Sequence, residues 1–451
     1  MNVAAKRELE SLFRAAVAAV DPARLVRESL RADARGVALS AGGDFAFVPW
    51  RDVGNIYLVG GGKAARAMGD AAAAILGERV TAGVVAVPRG SGGTEGCVRF
   101  VEAGHPLPDA GSRAAAAEML ALLARAGADD LVVALLSGGG SAMISAPPEG
   151  VSPGDKEAAI RLMLRSGADI AELNTLRKHL SAVKGGRMAA AAHPARVFAL
   201  VLSDVPGDSP SLVASGPFSP DPTTYRDAMR ILVGRRLCAN VPPSVRDHVA
   251  AGVAGSVPET PGPGDPLFGK VACAVAGSNR VALEAAARAA RGAGAGDIRV
   301  LPGFLRGEAR ACAVAFVAEL REAAASLPPG RAAVLVAGGE TTVAVRGGGR
   351  GGRSQEFALA AALALDGSDG IAVLAAGTDG VDGPTDAAGA FADGATCARA
   401  RAAGLSPGEH LARNDSHPFF GALSDLLVTG PTGTNVADVA LGVARAAGRA
   451  P

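Results

Sequence analysis

The chain has 451 residues, and its 45 Lys and Arg nearly balance 44 Asp and Glu. That balance excludes a general electrostatic attraction to nucleic acid or an anionic membrane, so any anion site must be local. The length exceeds the roughly 250–300 residues that one hydrophobic core usually serves, which predicts two domains, and five scattered cysteines without a CxxC pair point away from a disulfide scaffold or structural zinc.

In chain order, the first twenty residues mix Lys6, Arg7, Glu8 and Glu10 into an apolar pattern and read as an amphipathic helix, not a signal peptide. No run reaches the roughly 20 apolar residues of a membrane span, and the protein is placed in the cytoplasm. From residue 55 one grammar repeats: an apolar strand, a glycine turn, then an alanine-rich helix. NIYLVG (55–60), AGVVAVP (82–88), DLVVALLS (130–137) and ARVFALVLS (195–203) predict a buried parallel sheet whose ligand loops lie at the strands' carboxyl ends. The Pro- and Gly-rich stretch 241–270 is read as a domain transition, giving an N-terminal Rossmann-like domain over 1–255 and a second α/β domain over 256–451. Strands are expected there at VACAVAGSN (271–279), AAVLVAGGETTVAV (332–345) and IAVLAAGTDG (371–380).

The turn Gly60-Gly61-Gly62-Lys63 combines glycines, a helix N-terminus and a full positive charge, which suits an anion. The bland alternative is a tight turn with a solvated lysine. Gly60, Gly62 and Ala65 also approximate a dinucleotide fingerprint, but the following strand ends in Val87-Pro88-Arg89 where a ribose-binding acid is wanted. A Walker A motif is absent, because Lys63 is followed by Ala64. Ser137-Gly138-Gly139-Gly140-Ser141, directly after a strand, is a second candidate anion nest, or simply a capped turn. It lacks the spacing of a hydrolase nucleophile elbow. In GGGRGGRS (347–354) both Arg350 and Arg353 can grip oxyanions, and Arg353, beside a helix start, is the stronger candidate.

Acidic groups cluster at two strand ends: Asp204 and Asp208 in LSDVPGDSP, and Asp379, Asp382 and Asp386 in GTDGVDGPTD. Such carboxylates can hold Mg²⁺ or serve a reacting hydroxyl, although Asp is also an ordinary turn former. Asn174, Arg177, Lys178 and Lys184 lie on a polar, basic segment expected to be a helix, one face of which could serve substrate, although most charges on such a helix are ordinarily solvated. His105 and His179 have no ligand spacing and are assigned capping or core roles.

Taken together, VGGGKAA, AGHPLPD, LLSGGGSA, LNTLRKHLSAVKGGRMA, LSDVPGDSPSLVASGPFSPDPTT, AGGETTV, GRGGRSQEFALA, AAGTDGVDGPTDAAGA and TGPTGTNVADV make the chain resemble the glycerate 2-kinase family, whose C-terminal part is the MOFRL domain. That family also carries the name hydroxypyruvate reductase. The resemblance covers nearly the whole chain, with the MOFRL region at about 330–440. It implies a two-domain α/β fold with the active site in the interdomain cleft, and ATP-dependent phosphorylation of D-glycerate to 2-phosphoglycerate with Mg²⁺. It also implies active-site roles for Lys63 and Arg353. In the mechanism that follows, Asp204 is catalytic and Gly60, Gly61, Gly62 and the Ser137–Ser141 turn bind ATP. Arg177 and Lys184 bind the glycerate carboxylate, and Asp379 and Asp382 hold the metal. Ser354 stands where the family commonly has Asn. The partners are ATP and D-glycerate, with neither nucleic acid nor membrane, and a homo-oligomer is left open. The competing expectation is an NAD(P)H-dependent reductase.

Overall fold

The computed structural model describes residues 1–328 and 330–445. The chain divides into two compact units, one spanning Pro22–Ala276, the other joining Met1–Asp21 to the described residues from Gly277 onward.

In the first unit, β1 (Leu30–Ala32), β2 (Gly36–Ala41) and β3 (Asp44–Pro49) form a small antiparallel sheet. The main sheet contains β4 (Ile56–Gly61), β5 (Val80–Val87), β6 (Gly93–Glu95), β7 (Val98–Glu102), β8 (Leu131–Ser137), β9 (Arg196–Leu202) and β10 (Val271–Gly277), in the order β10-β9-β8-β4-β5-β7-β6. The four predicted apolar runs are β4, β5, β8 and β9, and their mutual ladders are all parallel. Every residue of β4 and β8 is buried, because helices cover both faces and leave no solvated side for polar alternation. Met119 and Leu123 of the helix Ala110–Leu123 pack with Val59, Val132 and Val197 on one face. Each such Val or Leu contributes roughly 1.5–3 kcal/mol on burial.

Strand order decides where the loops matter. From β4 the chain builds β5 and β7 to one side, then returns to build β8 and β9 on the other, so winding reverses between β4 and β8. Parallel sheets of this kind open a crevice outside the carboxyl ends of the strands at such a reversal. The two glycine turns read from the sequence, after Gly61 and after Ser137, flank that point.

The second unit carries β11 (Asp297–Val300), β12 (Ala332–Gly339), β13 (Ile371–Gly377), β14 (Gly389–Asp393), β15 (Leu426–Leu427) and β16 (Asp438–Arg445), ordered β11-β12-β16-β13-β14-β15. Only β11 and β12 pair in parallel; the other four ladders are antiparallel. Phe316, Phe357, Leu335 and Val373 centre its core.

The division differs from the expected 1–255 and 256–451 in two respects. VACAVAG is β10, the edge strand of the first sheet, and Phe268, Val271, Cys273 and Val275 pack against that unit's core. Pro and Gly in 241–270 turn the chain without ending its contacts, and the stretch includes the helix Pro243–Val253. The N-terminal helix, Val3–Ala19, is amphipathic as expected but belongs to the second unit. Its apolar face, Leu9, Leu12, Phe13 and Ala16, is buried, and the helix packs on Asn279–Gly292 and β16. Among the described residues no helix is long and apolar enough to cross a membrane.

Candidate functional site

The turn after β4 is tighter than its glycines alone suggest. A Cβ on Gly60 would lie 2.2 Å from the Leu135 carbonyl oxygen, and one on Gly62, at φ +138°, 2.2 Å from Ser137 Oγ. The glycines therefore let β4 and β8 close on each other. The amides at the helix start are also engaged: Gly62 donates to Ala86 O, Lys63 to Gly138 O, Ala64 to Ser137 Oγ and Ala65 to Gly62 O. Ser137, expected as an anion ligand, thus caps the helix Ala65–Leu76 from the neighbouring strand. At the expected anion cradle the amides of Gly62 to Ala65 are thus engaged within this unit, which leaves the Lys63 side chain as the turn's charged group.

The turn after β8 behaves differently. Gly138 and Gly139 lead into the one-turn helix Gly140–Met143, with Gly139 in the left-handed region at φ +82°. A Cβ on Gly139 would lie 3.1 Å from His105 Cδ2 and 3.2 Å from Lys63 Cγ, so Lys63, His105 and this turn meet. Ser141 Oγ lies 2.9 Å from Ser215 Oγ. Ala214 and Ser215 are themselves held at positive φ, which costs of order 1 kcal/mol each and is sustained by the bonds from Gly185 N to Ser215 O and Gly186 N to Gly216 O. These contacts explain the LVASGP segment, for which the sequence offers no individual chemistry.

Beside this turn lies a cavity of about 330 Å³, within the size range of small-molecule sites. Gly139, Ser141 and Ser145 line it, together with His105, Arg113, Lys156, Glu157, Arg177 and Lys184. Two arginines and two lysines thus face one carboxylate. Lys184 is buried, and its Nζ donates to the carbonyls of Ser141 (2.7 Å) and Ile144 (3.1 Å), leaving one of its three donors. Lys156 is also buried, but its Nζ has no hydrogen-bond partner. Arg177 donates weakly to Asn174 Oδ1 at 3.4 Å. Burial, then repulsion from Arg177, lowers the Lys156 ammonium to about 8. Burial with repulsion from Lys156 and Arg177 pushes Lys184 well below the usual lysine range, and burial lowers Arg177.

Several expectations change here. The helix ends at His179, so Lys184 lies beyond it, and its charges are not solvated: Arg177 and Lys184 line the cavity, while Lys178 is buried against Asp221 at 3.0 Å. His105 is exposed and lines the cavity instead of capping or filling a core. His179 does occupy the core, bonded to Thr175 O and Glu259 and set edge-on to Tyr225. Arg113 and Lys156 were not singled out from the sequence. The signal for Lys156 was present: it shares the i, i+3, i+7 face of Pro153–Arg165 with the buried Ala159 and Met163, a position where charge is out of place. Asp204 follows β9 at the same sheet edge and is not among the residues lining the cavity.

The predicted residues of the second unit form their own cluster. Arg353 opens the helix Arg353–Leu365 and binds Asp438 through two nitrogens, Nε to Oδ2 at 2.6 Å and a terminal nitrogen to Oδ1 at 3.0 Å. Its other terminal nitrogen donates to Glu340 at 2.7 Å. Burial pushes the Asp438 carboxyl up to about 7, with Asp382 and Glu340 adding to it against the pull of Arg353, whose own protonation these acids reinforce. Arg350 lies on the loop before, its Nε donating to Pro384 O.

Asp382 has a structural role at the start of the helix Arg353–Leu365. Its buried carboxylate accepts from Ser354 N (3.1 Å), Gln355 N (2.8 Å) and Gln355 Nε2 (3.0 Å), capping the helix that carries Arg353. Asp379 sits in the turn after β13, where its Oδ1 accepts from Val381 N. Among the described residues no group of three or more His, Cys, Asp or Glu is arranged to hold a metal ion. Asp379 and Asp382 thus lie on the same loop after β13, Asp382 engaged by the amides of the helix Arg353–Leu365 and Asp379 by Val381 N.

The sheet order and the cation-lined cavity define a doubly wound α/β protein carrying a second, mixed-sheet unit. Residues 8–250 match the family model described as a domain of unknown function (DUF4147), and residues 333–438 match the MOFRL family. The chain is 38% identical to the D-glycerate 2-kinase of Thermotoga maritima, covering 96% of each protein. It is 42% identical to a provisionally named hydroxypyruvate reductase of Agrobacterium vitis, over 97% of this chain and 94% of that one. The crystal structure of a Thermotoga maritima glycerate kinase superposes with a TM-score of 0.84 at 37% identity, covering 97% of this chain and 99% of that chain. The chain belongs to the glycerate 2-kinase family with a C-terminal MOFRL region.

Proposed function

We propose that the chain is a D-glycerate 2-kinase, moving the terminal phosphoryl group of ATP to the 2-hydroxyl of D-glycerate. The observation carrying this reading is the cavity beside the Ser137–Ser141 turn, where Arg113, Lys156, Arg177 and Lys184 face a single carboxylate, Glu157. An excess of basic side chains, two of them buried lysines, suits a small polyanionic reactant pair and has no use for a neutral one. Arg177 and Lys184 hold the acid's carboxylate in this reading. Lys63 and Arg353 neutralise charge on the transferring phosphoryl group, the roles the family resemblance implies. Phosphoryl transfer is mostly positioning and electrostatic stabilisation, so Asp438 and Glu340 contribute by fixing the Arg353 guanidinium.

ATP is the donor this family implies, and Mg²⁺ would neutralise its phosphates. The metal commonly needs only one or two protein carboxylates. Asp204 and Asp379 keep that candidacy; Asp382 is committed to capping. The reductase alternative loses its structural basis at the fingerprint, since Gly60 and Gly62 make room for β8 and the amides of Gly62 to Ala65 are engaged internally. The cytoplasm remains the proposed location.

Purified protein incubated with ATP, Mg²⁺ and D-glycerate, followed by phosphorus NMR, should yield 2-phosphoglycerate. Lys63→Ala and Arg353→Ala should each lower kcat about 10²–10³-fold with the fold retained by circular dichroism. Near-parent turnover at saturating substrates in either variant sinks that residue's role. Rapid oxidation of NADH or NADPH by hydroxypyruvate, with no phosphorylated product, sinks the kinase reading.

A further inference from the structure

Among the described residues Lys156 is a buried cation whose ammonium meets no acceptor. It sits on the inner face of Pro153–Arg165 and is 8% exposed. Lys178, buried in the same unit, shows the usual arrangement: its Nζ meets Asp221 Oδ1, which also accepts from the Thr223 amide and hydroxyl. Around Lys156 the titratable or charged groups lining the cavity are Arg177, Lys184, Arg113, His105 and Glu157. Arg177 repels the Lys156 ammonium, and no bonded carboxylate offsets that repulsion.

A buried ammonium without a partner is costly, and apolar replacement normally relieves that cost. A methionine has a similar stem and would fill the same space. We propose that Lys156 is a ligand-binding residue whose missing partner is an oxyanion of a small acid, held in this cavity between Lys156 and Arg177. Carboxylate and phosphoryl oxygens share the required chemistry. On the kinase reading above, on which this assignment of source rests, the oxyanion is the carboxylate of D-glycerate, so that Lys156 joins Arg177 and Lys184 around it. Ser141 and Ser145, which also line the cavity, offer hydroxyls to those of an acid. The arrangement also predicts proton uptake, because an anion brought against Lys156 stabilises its charged form, which burial and Arg177 otherwise disfavour.

Isothermal titration with D-glycerate, ATP and inorganic phosphate, each in two buffers of different ionisation enthalpy at pH 8.5, tests this on the whole chain. D-glycerate should bind wild type with net proton uptake. Lys156→Met should bind it at least about tenfold more weakly and without that uptake, while Lys156→Arg recovers part of the affinity. In the absence of ligand, Lys156→Met should unfold at a higher temperature than wild type, a result that a merely structural role for Lys156 would reverse. Unchanged affinity for all three ligands in a folded Lys156→Met variant overturns the proposal. If only phosphate or ATP binding depends on Lys156, the oxyanion site stands and its assignment to the glycerate carboxylate falls. If wild type binds phosphate through Lys156 but neither binds nor phosphorylates D-glycerate, the site stands and the proposed function falls.

Discussion

Two buried lysines of the same unit, Lys156 and Lys178, are only 3–8% exposed, yet they are treated in opposite ways. Around Lys178 the fold supplies the counter-charge itself: Asp221, from the segment that precedes the helix Tyr225–Gly234, is fully enclosed with it. Around Lys156 the fold supplies more cations and an open volume of about 330 Å³. The first arrangement closes the structure, and the second leaves an electrostatic demand that a ligand can meet. The second unit repeats the first arrangement at Arg353, where Asp438 and Glu340 fix a guanidinium that stays 35% exposed at the side chain and so retains a face for use.

The largest effect expected from breaking this contrast is at the paired site. Lys178→Met leaves the Asp221 carboxylate enclosed without its cation and should destabilise the protein by about 3–5 kcal/mol, read as a lower urea midpoint. The same replacement at position 156 should move the midpoint the other way. If both variants lose stability equally, the two lysines are equivalent and the contrast fails.

A pH series sharpens the comparison. Because the Lys156 ammonium is lowered in the folded chain to about 8 from an ordinary 10.5, the unfolded chain binds more protons between those values. Stability should therefore rise as pH increases from about 8 to 10.5, with up to about 3 kcal/mol attributable to Lys156, whereas below pH 8 its penalty is constant. Lys184, lowered in the same direction, adds to the rise. Wild type and Lys156→Met, unfolded in urea across this range, should converge as pH increases. Parallel curves would show that Lys156 carries no such linkage.

The smallest expected effect concerns the fixed guanidinium. Asp382→Ala removes the acceptor for two helix-start amides and should cost about 1–3 kcal/mol of stability, with kcat falling because Arg353 sits on the same first turn. Loss of stability with unchanged kcat would detach the cap from the function of Arg353.

Much of the first unit was legible before any coordinates. β4, β5, β8 and β9 appear as uninterrupted apolar runs because a doubly covered parallel sheet tolerates nothing else, and the turns after β4 and β8 follow from their glycines. The division of the chain was harder. A Pro- and Gly-rich stretch signals that the chain turns, but not where it goes next, and β10 returned to the first sheet. The amphipathic pattern of Val3–Ala19 likewise states that one face is buried without stating against what.

The site divides along the same line. Residue type and local spacing by themselves determined that Lys63, Arg177, Lys184 and Arg353 are cations beside turns or helix ends, and that the carboxylates cluster after apolar strands. Only tertiary structure decided which charges have partners. Asp382 became a cap because a chain segment about 28 residues away presents two amides to it. Lys178 was neutralised by Asp221, 43 positions on. Lys156 was left without an acceptor by the same packing that buried it. The physical reason is that a charge's cost is set by desolvation and by neighbours a few ångströms away, and most of those neighbours are distant in sequence.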